Sequence, residues 1–229
     1  MAHAAGALIH VDACQSFGKL SLRADQDGEP AAYLDMVTLN AHKLHGPKGI
    51  GCLYVRGKSN VALETLNHGG GHEFGLRSGT LNVPGIVGFA AAVQCADTEE
   101  QRQRIRELRQ ELYDGIVALF GQHNVLLNGP PLEDTERRLY NNLSVSLGGH
   151  SGEHLIAFLS QQGVYCATGS ACSSNDKNTP SHVLLAMRRS HRDAAATLRF
   201  SLSRFTQPRH VQAALQALAL FVQQHGRRA

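Results

Sequence analysis

Lys43 is the residue whose type and position most directly suggest covalent chemistry. It follows an apolar segment and precedes Gly46 and Pro47, where the backbone must turn. At the end of a buried strand, a lysine amine would be desolvated, would lose its proton more easily and could form a Schiff base with an aldehyde. A solvated loop lysine would have the same local sequence, so these residues alone leave both interpretations open.

Cysteine chemistry is the second possibility. The five cysteines are odd in number and have neither zinc-ligand nor disulfide-framework spacing, so we expect reduced thiols and no metal site. Cys172 lies in a small, polar segment, 168–178, that is typical of an exposed, mobile loop. It could be a nucleophile or an inert surface thiol. The other four are interpreted as small apolar core residues: Cys14, Cys52, Cys95 and Cys166.

Two further segments could bind charged groups. Asp12 ends the apolar segment 7–13, and the carboxyl ends of strands in open α/β sheets are where ligands bind. It could equally cap the next helix. The glycine-rich segment 69–80 contains Arg77 and Thr80, which can both bind an anionic oxygen. A flexible linker would have the same glycines, but not these two side chains.

The strands and helices that would position these residues are those of an α/β fold. We expect segment 7–13 to be a buried strand, and segments 34–39 and 49–55 to form a hairpin in a mixed sheet. Helical periodicity starts after Pro84. A long amphipathic helix is expected over about 99–120, with an apolar face of Ile105, Leu108, Leu112, Ile116 and Leu119.

The C-terminal half alternates strands and helices. Strands are predicted at 125–127, 142–147, 164–167 and 197–202. Helices are predicted after Ser151 as N-cap, near 181–188, and from Thr206 onward.

Composition excludes several function classes. The formal charge is +3 and the basic residues are scattered, so nucleic-acid binding is not expected. With 42% apolar residues the chain can bury a core, but it has no apolar run long enough to cross a bilayer. Its first residues lack the features of a secretory signal, so we predict a cytosolic protein.

Five motifs together resemble the cysteine desulfurases of the NifS/IscS-like branch of the class V aminotransferase family. They occur in the family's order and spacing, at 11–19, 41–49, 77–80, 169–172 and 198–202. The resemblance implies the type I fold of pyridoxal-phosphate-dependent transferases. It assigns residues 1–96 to a residual large, cofactor-binding domain. Residues 97–229 would form a connecting helix and a smaller α+β domain with the catalytic-cysteine loop.

The resemblance also implies roles for individual residues. Lys43 resembles the lysine that holds pyridoxal phosphate, and Asp12 the carboxylate that pairs with the pyridinium nitrogen. Thr80 resembles the residue that reaches the phosphate of a neighbouring subunit, which implies a homodimer. Arg199 resembles the arginine that binds the substrate carboxylate, and Cys172 the nucleophile. The remaining cofactor contacts would be Gln15 to the phenolic oxygen, His42 to the phosphate, and Asn40, where the family usually has a serine.

The implied activity is conversion of L-cysteine to L-alanine, with a persulfide left on Cys172 and passed to a sulfur acceptor or iron–sulfur scaffold protein. Met1 falls in the helix that should precede the Asp12 strand, so the chain resembles an N-terminally truncated desulfurase whose first portion could be supplied by another chain. Two alternatives stay open: a catalytically silent homologue that acts as a binding or regulatory partner, and a selenocysteine lyase.

Overall fold

The computed structural model describes residues 1–20, 33–57, 61–168 and 180–226. The predicted nucleophile Cys172 and the rest of its motif lie outside these ranges. The chain divides into two compact units, Met1–Asp97 and Thr98–Ala229. The boundary is one residue from the predicted one, while the cofactor-binding and catalytic-cysteine roles of the two domains stay predictions.

The first unit contains a mixed three-stranded sheet of order β1-β2-β3. Strands β1 (His10–Asp12) and β2 (Met36–Asn40) are parallel, with Asp12 opposite Thr38. Strand β3 (Gly51–Val55) runs antiparallel to β2. The predicted hairpin and the mixed sheet are therefore confirmed, and helix α1 (Val83–Gln94) follows with the Asn82 side chain accepting from the Gly85 N–H.

The predicted buried strand over 7–13 is wrong in both length and burial. Strand β1 covers only His10–Asp12, and its residues are exposed or half-buried. Within the part of the chain that the structure describes, β2 is the one strand paired with β1, so β1 is an edge strand there and little packs over it.

Apolar side chains of the first unit are largely exposed. Among its described residues, the buried hydrophobic ones are few and mostly small: Ala13, Val37, Ala41, Leu44 and Ala92. Large exposed ones include Leu8, Leu53, Leu66, Phe74, Val83, Ile86 and Val87. Exposed apolar surface of this extent is typical of a face that another element or chain covers.

The described residues of the second unit share one large apolar core. Helix α2 (Glu99–Phe120) begins at a Thr98 and Gln101 capping box, and α6 (Pro208–His225) packs beside it. Both helices contribute to one apolar cluster with the antiparallel sheet β4-β5-β6. The strands are Val125–Leu127, Asn142–Leu147 and Thr197–Ser201.

Short helices complete this unit. Helix α3 (Gly152–Gln161) begins with the predicted Ser151 cap, and the two short helices α4 (His182–Ala186) and α5 (His191–Ala195) follow. Helix α5 was not predicted, and the strand predicted at 164–167 is a single bridge between Ala167 and Arg199. No helix in the described ranges combines the length and apolarity that crossing a membrane requires.

Candidate active site

Parallel pairing of β1 and β2 brings the two main candidate groups to one edge of the sheet. Asp12 is the last residue of β1 and lies opposite Thr38, two residues before β2 ends at Asn40. The chain then forms a short helical turn, His42–Leu44, which carries Lys43. Because both strands run in the same direction, their carboxyl ends are neighbours. The carboxylate and the lysine turn therefore lie at the same edge of the sheet.

Burial of two residues sets the conformation of the lysine turn. Ala41 and Leu44 are buried, and the carbonyl of Ala41 accepts from the N–H groups of Leu44 at 2.9 Å and Gly46 at 3.0 Å. A Cβ at Gly46 would lie 3.0 Å from the Cβ atoms of both Ala41 and Ala92, so a glycine fits this tight return of the chain. His42 and Lys43, between the two buried residues, are left exposed.

Exposure of Lys43 bears on the expected desolvation of its amine. The lysine turn leaves this side chain in solvent, so the described residues of the first unit do not desolvate it. The exposure of Lys43 fits the interpretation of this residue as a solvated loop lysine.

Asp12 is held in its charged form by its neighbour. Its Oδ1 accepts from the backbone N–H of Cys14 at 2.9 Å. Hydrogen bonds from the side chain and the N–H of Cys14 lower the pKa of Asp12 below its usual range. The carboxylate is thus negative at neutral pH and exposed, as a partner for a protonated ring nitrogen must be.

Asn40 connects the end of β2 to the lysine turn. Its Oδ1 accepts from the backbone N–H of Lys43 at 3.1 Å, in the manner of a helix cap. This oxygen is already used, so only the amide N–H groups of Asn40 are left to donate to an anion. The predicted contact with a cofactor phosphate stays a prediction.

Gln15 and Thr80 are both exposed. The Lys19 Nζ donates to the backbone carbonyl of Gln15 at 2.8 Å, a contact that does not involve the Gln15 side chain. Thr80 ends the glycine-rich segment, where Ser78 is buried and its hydroxyl donates to the Gly70 carbonyl. Arg77, also considered for anion binding, donates to the carbonyl of Ser78 at 2.7 Å. The roles of Gln15 and Thr80 stay predictions.

Arg199 belongs to the second unit and is described there by itself. It lies in β6, opposite Ser144 of β5, and its backbone also pairs with Ala167. The alternate residues Leu198 and Phe200 enter the core, so Arg199 is on the opposite, polar face of the sheet. Its side chain is half-buried.

Next to Arg199, this polar face carries a buried network that the sequence analysis missed. Thr197 and Ser146 share a hydroxyl hydrogen bond of 2.7 Å, and the amide of Asn128 donates to the Ser146 hydroxyl at 3.0 Å. The Arg189 Nε then donates to the Asn128 Oδ1 at 2.9 Å. Alternation of polar and apolar residues along β5 was the signal that could have indicated it.

Burial of the cysteines corrects their earlier interpretation. Cys52 and Cys95 are exposed and Cys14 is half-buried, so these three are not core residues. The half-buried Cys166 packs against the core cluster, and burial raises its pKa to about 11, which disfavours the reactive thiolate. Cys14 lies beside Asp12. Its position two residues after Asp12 in the sequence could have indicated this contact.

Comparison with known proteins places this geometry in a family. The aminotransferase class-V family model matches residues 1–214. Cysteine desulfurase IscS of Tolumonas auensis is 42% identical over 210 residues, covering 91% of this chain and 48% of that protein. A cysteine desulfurase of Gluconacetobacter diazotrophicus is 41% identical over 206 residues, covering 89% of this chain and 48% of its own length.

Solved structures give the same result. A NifS-like protein superposes with a TM-score of 0.78 at 34% identity, over 95% of this chain and 53% of that one. A NifS-like protein from Rickettsia africae gives 0.77 at 25% identity, over 96% and 54%. The chain spans about half the length of these relatives. With its fold and sequence both matched, the chain belongs to the aminotransferase class-V family.

Proposed function

We propose that this chain carries the lysine and carboxylate of a pyridoxal-phosphate-dependent cysteine desulfurase. The observation that carries the proposal is the parallel pairing of β1 and β2, because it brings the Asp12 carboxylate and the Lys43 turn to one edge of the sheet. Similarity to cysteine desulfurases over most of the chain supports the choice of reaction.

The donor set has the chemistry that pyridoxal phosphate needs. An ionised carboxylate, Asp12, suits a protonated ring nitrogen, and an exposed primary amine, Lys43, suits an aldehyde. His42, also exposed, would contact the phosphate, with Gln15 at the phenolic oxygen and Thr80 reaching the phosphate of a second subunit. When bound, the cofactor would supply an electron sink for the carbon skeleton of the substrate.

Two residues of the first unit would act during the reaction. Lys43 Nζ would bind the aldehyde carbon and, once displaced by the substrate amine, carry a proton between substrate carbon atoms. Asp12 would keep its negative charge throughout, because the Cys14 hydrogen bonds favour the ionised form. This charge would hold a proton on the ring nitrogen.

Arg199 and Cys172 would complete the reaction. The Arg199 guanidinium has the planar pair of donors that suits the α-carboxylate of L-cysteine. The Cys172 thiolate would attack the substrate sulfur, forming an S–S bond while the substrate C–S bond breaks. The released carbon takes a proton to give L-alanine, and the sulfur stays on Cys172 as a persulfide until an acceptor or iron–sulfur scaffold protein removes it.

A second candidate function is favoured by the exposed apolar side chains of the first unit. Residues such as Val83 and Val87 of α1 would be covered in a complex with another chain. In this reading the chain is a non-catalytic partner of a full-length relative. The selenocysteine lyase alternative uses the same residues and differs only in the substrate atom.

Visible absorption with added pyridoxal phosphate tests the first step. We expect a Schiff-base band in the unmodified chain and none in Lys43→Arg, which keeps the positive charge but cannot form the bond. L-alanine release from L-cysteine should then require Cys172, shown with Cys172→Ala, and should be unchanged in Cys52→Ala as a matched control. Selenocysteine in place of cysteine separates the lyase.

A normally folded chain without a specific band would overturn its proposed activity as an isolated enzyme. Co-elution with a full-length class V relative, together with a change in that relative's turnover, would then support the partner function. Sedimentation of the chain alone tests the proposed homodimer.

A further inference from the structure

The turn that carries Lys43 is followed by a strained backbone position. His45 has a φ of +64° and a ψ of 19°, the left-handed conformation that residues other than glycine rarely adopt. Such a conformation persists only where the surrounding contacts fix it. Its two neighbours in the chain, Leu44 and Gly46, both make contacts of this kind.

Leu44 holds the Lys43 turn on one side. Its buried side chain occupies the space that a Cβ at Gly18 would need, so the two residues are in direct contact. Gly18 belongs to segment 13–20, which includes Gln15 and is called the Gln15 turn below.

The Gln15 turn is itself held by hydrogen bonds. The N–H of Ala13 donates to the Thr38 carbonyl at 3.0 Å, which fixes the start of the turn to β2. The N–H of Phe17 donates to the Ala13 carbonyl at 2.8 Å. The buried Lys19 donates from Nζ to the Gln15 carbonyl at 2.8 Å, which closes the end of the turn.

Helix α1 holds the chain on the other side of Lys43. Gly46 comes so close to this helix that a Cβ there would lie 3.0 Å from the Ala92 Cβ. Pro47 lies against Gly88, where an added Cβ would be 2.5 Å from the Pro47 Cγ. A larger residue at Gly88 or Ala92 would therefore push this part of the chain away from α1.

A third contact joins α1 to the Gln15 turn. The rings of Phe17 and Phe89 meet edge to face, with centroids 6.4 Å apart and planes at 86°. The Gln15 turn, the Lys43 turn and α1 thus form a closed set of three contacts. Because each is held by the other two, moving one of them requires a change at two contacts.

We propose that Leu44 and Pro47 are positioning residues that hold the Lys43 turn between the Gln15 turn and α1. They fix the backbone of Lys43 relative to that of Gln15. Under the proposed function these two residues would contact the aldehyde and the phenolic oxygen of one cofactor ring, so their separation must match that ring. Only this naming of cofactor contacts rests on the proposed function, because the three contacts are present in the chain without cofactor.

Amide hydrogen exchange, followed by NMR in the chain without cofactor, tests the contact with α1. The readout is the exchange rate of the Leu44 and Gly46 amides, which both donate to the Ala41 carbonyl. Gly88→Ala would place a Cβ on Pro47, so both amides should exchange about tenfold faster. Helix propensity alone predicts the opposite, because alanine favours a helix more than glycine does.

A double variant tests the fit between the two residues. Pro47→Ala alone should also speed exchange, because it leaves a gap at Gly88. In Gly88→Ala/Pro47→Ala the added Cβ would fill that gap, 4.0 Å from the Cβ at position 47, and the rates should return to within about twofold of the unmodified chain. A double variant that exchanges as fast as either single one would overturn the proposal.

Ala92→Val and Ala91→Val are a matched pair at neighbouring positions of α1. Both carry the same cost in helix propensity, but only Ala92 is buried and lies against Gly46. The Leu44 and Gly46 amides should exchange faster in Ala92→Val and at unchanged rates in Ala91→Val. Equal rates in the two variants would indicate general loosening of the helix and would overturn the proposal.

Leu44→Ala tests the contact with the Gln15 turn. Loss of the side chain that packs on Gly18 should speed exchange of the Phe17 amide about tenfold more than exchange of the β2 amides, which report on the whole unit. Leu44→Val makes the same comparison with a smaller loss of stability. Phe17 exchange that stays unchanged, or that rises only as much as exchange in β2, would overturn the proposal.

Absorption with pyridoxal phosphate is scored separately. Given the proposed function, the half-saturating concentration should rise about three- to tenfold in Gly88→Ala and recover in the double variant. An unmodified chain without a band would count against the proposed function alone, since the exchange rates are measured without cofactor. A band with unchanged half-saturation in Gly88→Ala, in spite of faster exchange, would overturn the positioning role.

Discussion

Gly18 lies directly against Leu44, so closely that a Cβ added at Gly18 would overlap the Leu44 side chain. This contact joins the segment that follows Asp12 to the turn that carries Lys43. Gly18 also has a φ of +75°, a conformation that L-residues other than glycine rarely adopt.

Gly18→Ala is therefore expected to destabilise the first unit by about 2–4 kcal/mol, from overpacking together with left-handed strain. Urea unfolding followed by hydrogen exchange in β2 measures the loss. Gly49→Ala is the matched control, because Gly49 has a φ of +79° but no atom within 4 Å of an added Cβ. Equal losses in the two variants would show that the Leu44 contact contributes nothing.

Asp35 makes the stability of the first unit depend on pH. Its buried carboxylate accepts from the Ile9 N–H at 2.7 Å and from His3 Nε2 at 2.8 Å, which ties the segment before β1 to the start of β2. These hydrogen bonds lower the pKa of Asp35 in the folded state. Its contribution is therefore complete above the unfolded-state value of about 3.9 and is lost as pH falls through the lower, folded value.

Asp35→Asn should remove this pH dependence, because an amide does not titrate in this range. We expect the variant to be less stable than the unmodified chain at neutral pH and the difference to shrink below about pH 4. Urea midpoints of both proteins across this range, read from exchange in β2, measure it. A constant difference at every pH would contradict the assignment.

The sequence predicted the elements whose formation depends on residues near one another in the chain. It did not predict features that depend on contacts between distant segments. Helix α2 was predicted at its observed residues because a helical apolar period is a local feature, and the structure adds a local cap at Thr98. Burial of β1 was predicted wrongly because it depends on which elements cover the strand, and that information is not in residues 7–13. The contact of the Cys14 thiol with the Thr38 carbonyl was missed for a related reason, since the two residues are distant in sequence.

Arg189 is expected to support the polar face next to Arg199. It donates to the Asn128 Oδ1 at 2.9 Å and to the Leu127 carbonyl at 2.6 Å. Asn128 is buried, so Arg189→Ala would leave acceptors without partners and should destabilise the second unit by about 1–3 kcal/mol.

Arg188→Ala removes the same charge from the neighbouring exposed position and serves as the control. We expect it to change stability by less than about 0.5 kcal/mol, as for most surface substitutions. Thermal unfolding monitored in β5 compares the two variants. Equal shifts in both would indicate an effect of net charge and not of the Asn128 contacts.

Arg199 is the site residue whose substitution should affect substrate binding more than folding. Its backbone pairs with Ser144 on one side and Ala167 on the other, and both pairings persist when only the side chain changes. Given the proposed function, Arg199→Lys should lower kcat/KM for L-cysteine by about 10- to 100-fold, because an ammonium cannot reproduce the paired donors of a guanidinium.

Ser144→Ala, on the same polar face, is the control for changes of the sheet itself. The absorption band with pyridoxal phosphate should survive in both variants, and loss of the band in Arg199→Lys would show that this side chain acts on the fold or the cofactor and not on the substrate carboxylate.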